Sequence, residues 1–257
     1  MNEQPIARYG DLKGRSVFIS GGASGIGADL VTAFHQQESD IVFVDVAEDE
    51  GETLKQRLTA NGPEITFIPC DVTDTSALKN ALQTAESRNG GIDVLVNNAA
   101  NDTRIKLLDA SESDWDQSIN VNLKHQFFAA QTVCRWMKER GRGSIVNFGS
   151  VAPEMMVENL AIYNACKAAV RGLTRSIARD MGAYGIRVNS VLPGAILTER
   201  QRELWFSEQS SIDTLVAKQC LQKELCGRDV AEMVLFLASD VSAACTAQNF
   251  IVDGGMI

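Results

Sequence analysis

The sequence has few metal-binding side chains and no closely spaced cysteine pairs. It contains only two histidines, His35 and His125, and its six cysteines form no C-x-x-C motif. Zinc sites are usually built from cysteines and histidines at such short spacings, so we predict no metal site. The cysteines are expected to be reduced packing residues, which is typical of a cytoplasmic protein.

Long apolar runs and an excess of basic residues are also missing. No apolar run approaches the roughly 20 residues that a membrane-spanning helix requires. The first fifteen residues are polar and lack the apolar core of a secretory signal. The formal net charge of −9 opposes binding to the phosphate backbone of nucleic acids. We therefore predict a cytoplasmic protein that has neither a membrane nor a nucleic acid as its partner.

What the chain does contain is enough apolar sequence for a large core. At 257 residues, 45% of them hydrophobic, it is long enough for one large α/β domain or two small ones. A strand pattern followed by a helix pattern occurs four times in succession from Ser16 onwards, and three further strand patterns follow. Such units predict a seven-stranded parallel sheet with helices on both faces and ligands at the carboxyl ends of the strands.

The chain shows no internal repeat, linker or low-complexity segment that would divide it. We therefore predict a single domain over residues 1–257. Residues 1–15 are expected to form a short surface arm before the first strand. Residues 197–226 are more polar and are expected to form a helical segment that covers the substrate.

A glycine-rich segment, SGGASGIG at Ser20–Gly27, joins the first predicted strand to the first predicted helix. Glycine lets the backbone approach a phosphate, and a helix N-terminus offers free N–H groups and about half a positive charge. The spacing is Gly21-x-x-x-Gly25-x-Gly27 rather than the usual G-x-G-x-x-G. It predicts a diphosphate site, and the alternative is a tight turn whose glycines serve packing only.

Asp45 ends the second predicted strand, 18 residues after Gly27. In a dinucleotide-binding fold, a carboxylate at this place accepts hydrogen bonds from the adenosine ribose hydroxyls. It would repel a 2′-phosphate, and no arginine or lysine stands at positions 22–24 or 46 to bind one. The sequence therefore favours NAD over NADP, although an ordinary helix-capping role for Asp45 is an alternative.

Tyr163 and Lys167 are four residues apart, so they share one face of a predicted helix. An ammonium about 4 Å from a phenolate stabilises it by roughly 4 kcal/mol at an effective dielectric constant near 20. That energy corresponds to a fall of about three units in the tyrosine pKa. We therefore predict that Tyr163 acts as an acid and base in alcohol oxidation. The alternative is an ordinary pair on the surface of a helix.

Taken together, the ordered motifs resemble the short-chain dehydrogenase/reductase family over essentially the whole chain. The matching segments are Ser20-Gly21-x-x-x-Gly25-x-Gly27, Asp71-Val72, Asn97-Asn98-Ala99-Ala100, Asn120-Val-Asn-Leu123, Ser150, Tyr163-x-x-x-Lys167 and Pro193-Gly194-x-x-x-Thr198. The family usually has threonine at the position of Ser20 and glycine at that of Ala100. The resemblance implies a single Rossmann-type domain, a nicotinamide cofactor and a homo-oligomer, either a tetramer or a dimer.

The resemblance also implies roles for individual residues. Ser150 would orient the substrate oxygen, Tyr163 would be the acid and base, Lys167 would hold the nicotinamide ribose, and Asn122 would tie Lys167 to a water chain. Further contacts to NAD would come from the strand ends and the loops after them, namely Gly21, Ser24, Gly25, Ile26, Gly27, Asp45, Asp71, Val72, Asn97, Ala99, Tyr163, Lys167, Pro193, Gly194, Ile196 and Thr198.

Shorter segments are similar to the bacterial aldose 1-dehydrogenases, which oxidise xylose, arabinose or galactose to the lactone. They include Asn101-Asp-Thr-Arg104, Asn122-Leu-Lys-His-Gln-Phe-Phe128 and Cys245-Thr-Ala-Gln248. The polar residues expected to bind such a substrate are Asn101, Arg104, Ser150, Glu154, Asn159, Tyr163 and Gln219. The chain departs from this branch at Val151-Ala-Pro-Glu-Met-Met156, where a tryptophan and a glycine are expected.

These observations predict an NAD-dependent oxidoreductase that oxidises an aldose at C1 to the aldonolactone, with a sugar or polyol as its small-molecule partner. One alternative is a dehydrogenase of a sugar alcohol or of another secondary alcohol or ketone, which Met155 and Met156 beside the expected cleft leave open. A non-catalytic NAD-binding protein is the alternative from another class, and the presence of Ser150, Tyr163 and Lys167 argues against it.

Overall fold

The computed structural model describes residues 6–88 and 90–257. Seven parallel strands form one sheet, as the sequence predicts, and their order is β3-β2-β1-β4-β5-β6-β7. The strands are β1 Ser16–Ser20, β2 Asp40–Asp45, β3 Thr66–Pro69, β4 Val94–Asn97, β5 Gly143–Phe148, β6 Ile186–Pro193 and β7 Asn249–Val252.

Helices connect the strands, and one short π-helical turn, Asn120–Lys124, joins two of them. The α-helices are α1 Gly25–Gln36, α2 Glu48–Thr59, α3 Thr75–Glu86, α4 Glu112–Ile119, α5 His125–Arg140, α6 Ala152–Met155, α7 Ala161–Met181, α8 Glu199–Leu204, α9 Gln209–Val216 and α10 Gly227–Ala238. The sequence pattern predicts neither the π-helical turn nor the four-residue α6.

The core consists of two apolar layers, one on each face of the sheet. All five residues of β1 are buried, and because side chains alternate along a strand they supply both layers. Ile19 packs in the layer that contains Phe34 of α1 and Val234 of α10. Phe18 packs in the opposite layer with Leu82 of α3. Burial of both faces explains why the strands are continuous apolar runs rather than alternating ones.

The predicted surface arm needs a correction. Residues 1–5 lie outside the described part of the chain. Residues 10–12 form a 3₁₀ turn, and Leu12 within it is completely buried in the core on the α1 side of the sheet. The side chain of Ser39 also donates a hydrogen bond to the carbonyl oxygen of Leu12 at 2.8 Å. Leu12 is therefore part of the domain core, whereas the other described residues before β1 are exposed or half-buried.

The order of the strands places the functional cleft. Chain progression reverses between β1 and β4, which lie side by side although β2 and β3 separate them in sequence. Ser20 pairs in register with Asn97, and Asn97 pairs with Asn147, so the carboxyl ends of β1, β4 and β5 lie at one edge. In open α/β sheets, ligands bind at such a reversal point.

Candidate active site

The carboxyl ends of the strands border one open cleft with a volume of about 1130 Å³. Its walls come from the glycine turn after β1, the ends of β2 and β3, the loop after β4, the end of β5, α7 and the segment after β6. Every residue predicted to contact the cofactor lines this cleft except Asn97. The structure therefore brings residues from distant parts of the sequence to a single site.

The glycine turn after β1 leaves no room for side chains. Gly21 has a φ of +68°, and a Cβ atom built there would lie 2.7 Å from the Cα of Ala99. A Cβ atom on Gly27 would collide with the carbonyl oxygen of Gly21. The side chain of Asn98 supports the turn, since its Nδ2 donates a hydrogen bond to the carbonyl oxygen of Gly21 at 2.8 Å. These contacts keep the backbone exposed to the cleft, as a diphosphate requires.

The predicted contact at Asn97 is corrected to Asn98. Asn97 is completely buried, and its Nδ2 donates to the Oδ1 of Asn147 on the neighbouring strand at 2.9 Å. Because consecutive strand residues face opposite sides, the next residue is the one that lines the cleft. Asn97 therefore holds β4 to β5, while Asn98 shapes the glycine turn.

The N-terminus of α1 opens onto the same cleft. Ser24 is its N-cap, and its side chain makes no capping hydrogen bond. The first turn of α1, which the structure describes in full, contains no acidic residue. A helix N-terminus without a competing carboxylate favours an anion. This end of α1 and the glycine cradle before it fit the diphosphate of a dinucleotide.

Asp45 is fixed at the end of β2. Its carboxylate accepts hydrogen bonds from the backbone N–H groups of Ala23 at 2.9 Å and Ala47 at 3.1 Å. Glu50 lines the cleft near it, and the cationic residues that line the cleft, Arg104, Lys167 and Arg200, come from other elements. The environment of Asp45 fits ribose hydroxyl groups rather than a phosphate.

Ser150, Tyr163 and Lys167 meet where β5 ends against α7. Ser150 hydrogen-bonds Tyr163, and the Nζ of Lys167 lies 5.6 Å from the centroid of the tyrosine ring. Lys167 is buried and donates a hydrogen bond to the carbonyl oxygen of Phe148 at 2.8 Å. The three side chains predicted from the Tyr-x-x-x-Lys spacing and the family motif therefore form one group. A hydroxyl, a phenol and an ammonium together can bind and protonate or deprotonate an oxygen of the substrate.

The predicted fall in the pKa of Tyr163 is wrong for this arrangement. Burial raises the pKa of the phenol above its ordinary value, and the hydrogen bond with Ser150 lowers it only in part. Burial also lowers the pKa of the Lys167 ammonium to about 8. The argument from spacing considers the charge of Lys167 but not desolvation, which here dominates. Without a bound cofactor the phenol is therefore the favoured form, and the phenolate needs further positive charge nearby.

Asn122 lies in the π-helical turn and is completely buried. Its Oδ1 accepts a hydrogen bond from the backbone N–H of Asn101 at 2.9 Å, and its Nδ2 donates to the carbonyl oxygen of Asn101 at 3.0 Å. The side chain thereby fixes the loop after β4. The water chain between Asn122 and Lys167 stays a prediction.

The predicted substrate residues separate into two groups. Asn101, Arg104, Ser150 and Tyr163 line the cleft. Three others do not line it. Glu154 forms an ion pair with Arg171, Asn159 faces an adjacent pocket of about 100 Å³, and Gln219 is buried against Gly254. The prediction that these three side chains contact the substrate directly is therefore corrected for this arrangement.

Further polar residues line the cleft. Asp102, Arg200 and Gln201 all face it, and Asp102 contacts both of the others. Asp102 belongs to the polar segment 101–104 that the sequence suggests for binding a sugar, but Gln201 is 99 positions away, so no local pattern predicts their contact. For Asn98, the two-residue alternation of the strand would have identified the side chain that faces the cleft.

In residues 6–88 and 90–257, no helix combines the length and apolar character needed to cross a membrane. The same residues contain no group of three histidine, cysteine or acidic side chains placed to hold a metal ion.

Comparisons with known proteins agree with this geometry. A family model described as Enoyl-(Acyl carrier protein) reductase matches residues 21–257. A protein named probable galactose dehydrogenase from Rhizobium meliloti (strain 1021) is 44% identical over 253 residues, which cover 98% of either chain. A D-xylose 1-dehydrogenase from Caulobacter vibrioides is 40% identical over 249 residues, 97% of this chain and 98% of the relative. A solved structure titled short chain dehydrogenase/reductase family protein superimposes with a TM-score of 0.86 at 29% identity, covering 95% of this chain and 98% of its own.

Proposed function

The chain belongs to the short-chain dehydrogenase/reductase family of oxidoreductases, and within that family we propose that it oxidises an aldose at C1 with NAD as hydride acceptor. The observation that carries the proposal is the meeting of Ser150, Tyr163 and Lys167 in a cleft that also contains a glycine cradle and Asp45. Two relatives with sugar dehydrogenase names, each matched over nearly the full chain, support the substrate class.

In the proposed reaction, Ser150 and Tyr163 bind the anomeric hydroxyl group of the sugar. The phenolate of Tyr163 removes the hydroxyl proton while the hydrogen on C1 leaves with its electron pair. The C1–O bond then becomes the carbonyl of an aldonolactone. When bound, the cofactor supplies the hydride acceptor and a positive charge that favours the phenolate. Lys167, anchored on the carbonyl oxygen of Phe148, keeps a second positive charge on the same face of α7.

We propose that the cofactor is NAD. The diphosphate would be held by the turn at Gly21–Gly27 and the N-terminus of α1, and the adenosine ribose by Asp45. Asp71 and Val72 would border the adenine, and Ile196 and Thr198 the nicotinamide carboxamide. The carboxylates of Asp45 and Glu50 on this side of the cleft support NAD rather than NADP, because a 2′-phosphate would meet negative charge.

A second candidate is the oxidation of a sugar alcohol or of a less polar secondary alcohol. The apolar side chains of Met155, Leu160, Phe206 and Leu215 line the cleft and favour this alternative. Met156, in contrast, is 83% exposed and does not line the cleft. The two candidates differ in their products, since a lactone hydrolyses to an acid whereas a ketone does not.

The experiment that tests the proposed function measures NADH formation at 340 nm with pentoses, hexoses, alditols and simple secondary alcohols. Each substrate is supplied with NAD and, separately, with NADP. The proposal expects turnover of an aldose with NAD. Oxidation of any alcohol by NAD releases one proton per NADH, and hydrolysis of a lactone product releases a second, so the proposal expects about two protons per NADH where a ketone product would give one. Activity confined to alditols or apolar alcohols would contradict the sugar assignment and leave the Ser150–Tyr163–Lys167 chemistry in place.

We also propose that the chain is a single catalytic domain that assembles into a homotetramer or a dimer. The segment 197–226, which contains α8 and α9, would cover the substrate. Leu107, Leu108, Trp115 and Phe127 are exposed beside or on α4 and α5 and support contacts between copies there. Light scattering coupled to size exclusion chromatography tests the assembly. A cytoplasmic location stays a prediction that cell fractionation tests.

A further inference from the structure

A polar cluster connects the loop after β4 to α8 across the cleft. The Nε2 of Gln201 donates a hydrogen bond to the Oδ2 of Asp102 at 2.7 Å. A guanidinium nitrogen of Arg200 lies 3.2 Å from the Oδ1 of Asp102, and Arg200 also donates to the Oδ1 of Asn101 at 3.4 Å. The carboxylate of Asp102 is therefore held in place by two neighbouring side chains of α8.

A second contact reinforces the same connection. The guanidinium group of Arg104 stacks over the ring of Trp205, 3.8 Å from its centroid. Arg104 belongs to the loop after β4, and Trp205 follows the last residue of α8. A planar guanidinium on an indole ring gains both cation–π attraction and close packing. Together with the contacts of Asp102 to Arg200 and Gln201, this stacking ties the loop after β4 to α8. Such a set of contacts restrains Asp102 more than a single flexible ion pair would.

Asp102 faces the same cleft as the reacting groups. It lines this cleft together with Ser150, Tyr163 and Lys167. Its negative charge raises the pKa of Tyr163 and the positive charge of Arg200 lowers it, although burial has the larger effect. A substrate that places one hydroxyl group at Tyr163 therefore has Asp102 among the residues that surround it.

The carboxylate of Asp102 also has unused hydrogen-bonding capacity. Its Oδ1 is shielded from solvent beside Arg200, and its Oδ2 accepts a hydrogen bond from Gln201. The side chain as a whole is 23% exposed, so part of it still faces the cleft. An ionised carboxylate can accept about four hydrogen bonds, so it can accept a further one from a hydroxyl group of a polyhydroxylated substrate.

Building on the proposed oxidation of an aldose, we propose that Asp102 is a specificity-determining residue that binds a hydroxyl group of the substrate other than the one that is oxidised. Arg200 and Gln201 hold its carboxylate in position. A substrate without that hydroxyl leaves the half-buried carboxylate without this donor, so the cleft discriminates against deoxy sugars and simple alcohols.

The test compares kcat/KM for the aldose with kcat/KM for its 2-, 3- and 4-deoxy analogues. It uses the wild-type enzyme and the variants Asp102→Asn and Asp102→Ala. A hydrogen bond to a charged acceptor predicts that the wild type disfavours one deoxy analogue by about 10- to 100-fold. Both variants should lose most of this discrimination, because their rates with the natural sugar fall towards those with the analogue. NADH affinity, followed by fluorescence, should not change.

Glu224→Gln is the matched control. Glu224 forms an ion pair at 2.6 Å with Arg202, which lies on α8 like Arg200 and Gln201. Neither Glu224 nor Arg202 lines the cleft. This control should keep the wild-type discrimination. A merely structural role for Asp102 would lower kcat/KM for sugar and analogue alike and leave their ratio unchanged, and that result would overturn the proposal.

The outcomes also separate this proposal from the proposed function. Turnover of an aldose with equal discrimination in all variants would overturn the role of Asp102 and leave sugar oxidation standing. Turnover of alditols alone, with discrimination against a deoxy alditol that Asp102→Ala loses, would overturn the aldose assignment and support hydroxyl recognition by Asp102. Turnover of apolar alcohols alone would overturn both.

Discussion

Lys167 and Gln126 donate hydrogen bonds to the same acceptor, the carbonyl oxygen of Phe148, at 2.8 and 3.2 Å. Phe148 is the last residue of β5, two positions before Ser150. The shared carbonyl therefore ties α7, which carries Tyr163, and α5 to the strand end that carries the serine. Because Gln126 remains a donor, the carbonyl keeps a partner when the ammonium is removed.

This arrangement predicts that Lys167→Met is inactive but not less stable. Burial lowers the pKa of Lys167 from 10.5 to about 8, so below pH 8 the folded state bears the energetic cost of a buried positive charge. Methionine removes this cost and also removes one hydrogen bond. The net result should be a rise of about 1–3 kcal/mol in the free energy of unfolding at pH 7. In the wild type, the penalty is relieved as the pH rises from about 8 to 10.5, because the unfolded state binds more protons there. The advantage of the variant should shrink over the same window.

Urea titrations of both proteins at pH 7 and pH 10 measure this difference, and NADH formation measures the loss of turnover. Lys138→Met is the control, because Lys138 lies outside the cleft with its ammonium over the ring of Tyr184. A variant at Lys167 that is several kcal/mol less stable than the wild type at pH 7 would contradict the account of its burial.

Tyr163→Phe should remove turnover while leaving cofactor binding intact. Loss of a general acid or base typically lowers kcat by about 100- to 10,000-fold, whereas the phenyl ring keeps the shape of the cleft. NADH formation and fluorescence titration measure the two effects separately. Tyr184→Phe serves as the control, since Tyr184 is exposed and does not line the cleft. Retention of turnover in Tyr163→Phe would exclude the proposed proton transfer.

The double change Asp45→Ser and Val46→Arg should transfer preference to NADP. It removes the carboxylate that would repel a 2′-phosphate and adds a guanidinium at a position that is exposed and lines the cleft. Charge-assisted hydrogen bonds to phosphate predict a rise of about 100-fold in the ratio of kcat/KM for NADP to that for NAD. Asp49→Ser, an acidic residue of α2 outside the cleft, should leave the ratio unchanged. An unchanged ratio in the double variant would contradict the role of Asp45.

Gly27→Ala should weaken cofactor binding at least tenfold. The added methyl group collides with the carbonyl oxygen of Gly21, so the turn must move, at a cost of about 1–3 kcal/mol for overpacking. Gly172→Ala is the opposite case. Gly172 lies in α7 with open space around its Cα, so alanine should stabilise the helix by about 0.5–1 kcal/mol. Fluorescence titration with NADH and thermal unfolding distinguish the two variants, and normal affinity in Gly27→Ala would refute the cradle.

The sequence predicts the sheet well because its physical signals are local. A strand that is buried on both faces must be a continuous apolar run, as at Ile41–Val44. Tyr163 and Lys167 are also predictable, since one helical turn separates them. The π-helical turn at Asn120–Lys124 has no such signal, because it depends on the fit of Asn122 against the loop at Asn101.

Features that depend on tertiary structure are the ones that sequence reasoning misses. The contact between Asp102 and Gln201 joins residues 99 positions apart. The pKa of Tyr163 depends on burial, which the Tyr-x-x-x-Lys spacing does not reveal. Glu154 is polar and close in sequence to Ser150, yet its partner is Arg171 rather than a ligand.

The most direct test of the account is the fate of C1 in the oxidised sugar. An aldose that is turned over, labelled with ¹³C at C1, is incubated with the enzyme and NAD, and the label is followed by NMR. The account predicts that the anomeric signal is replaced by that of a lactone or carboxylate carbon, with one NADH formed per label converted. Formation of NADH while the label stays at an anomeric carbon would place the oxidation elsewhere and contradict the proposed function.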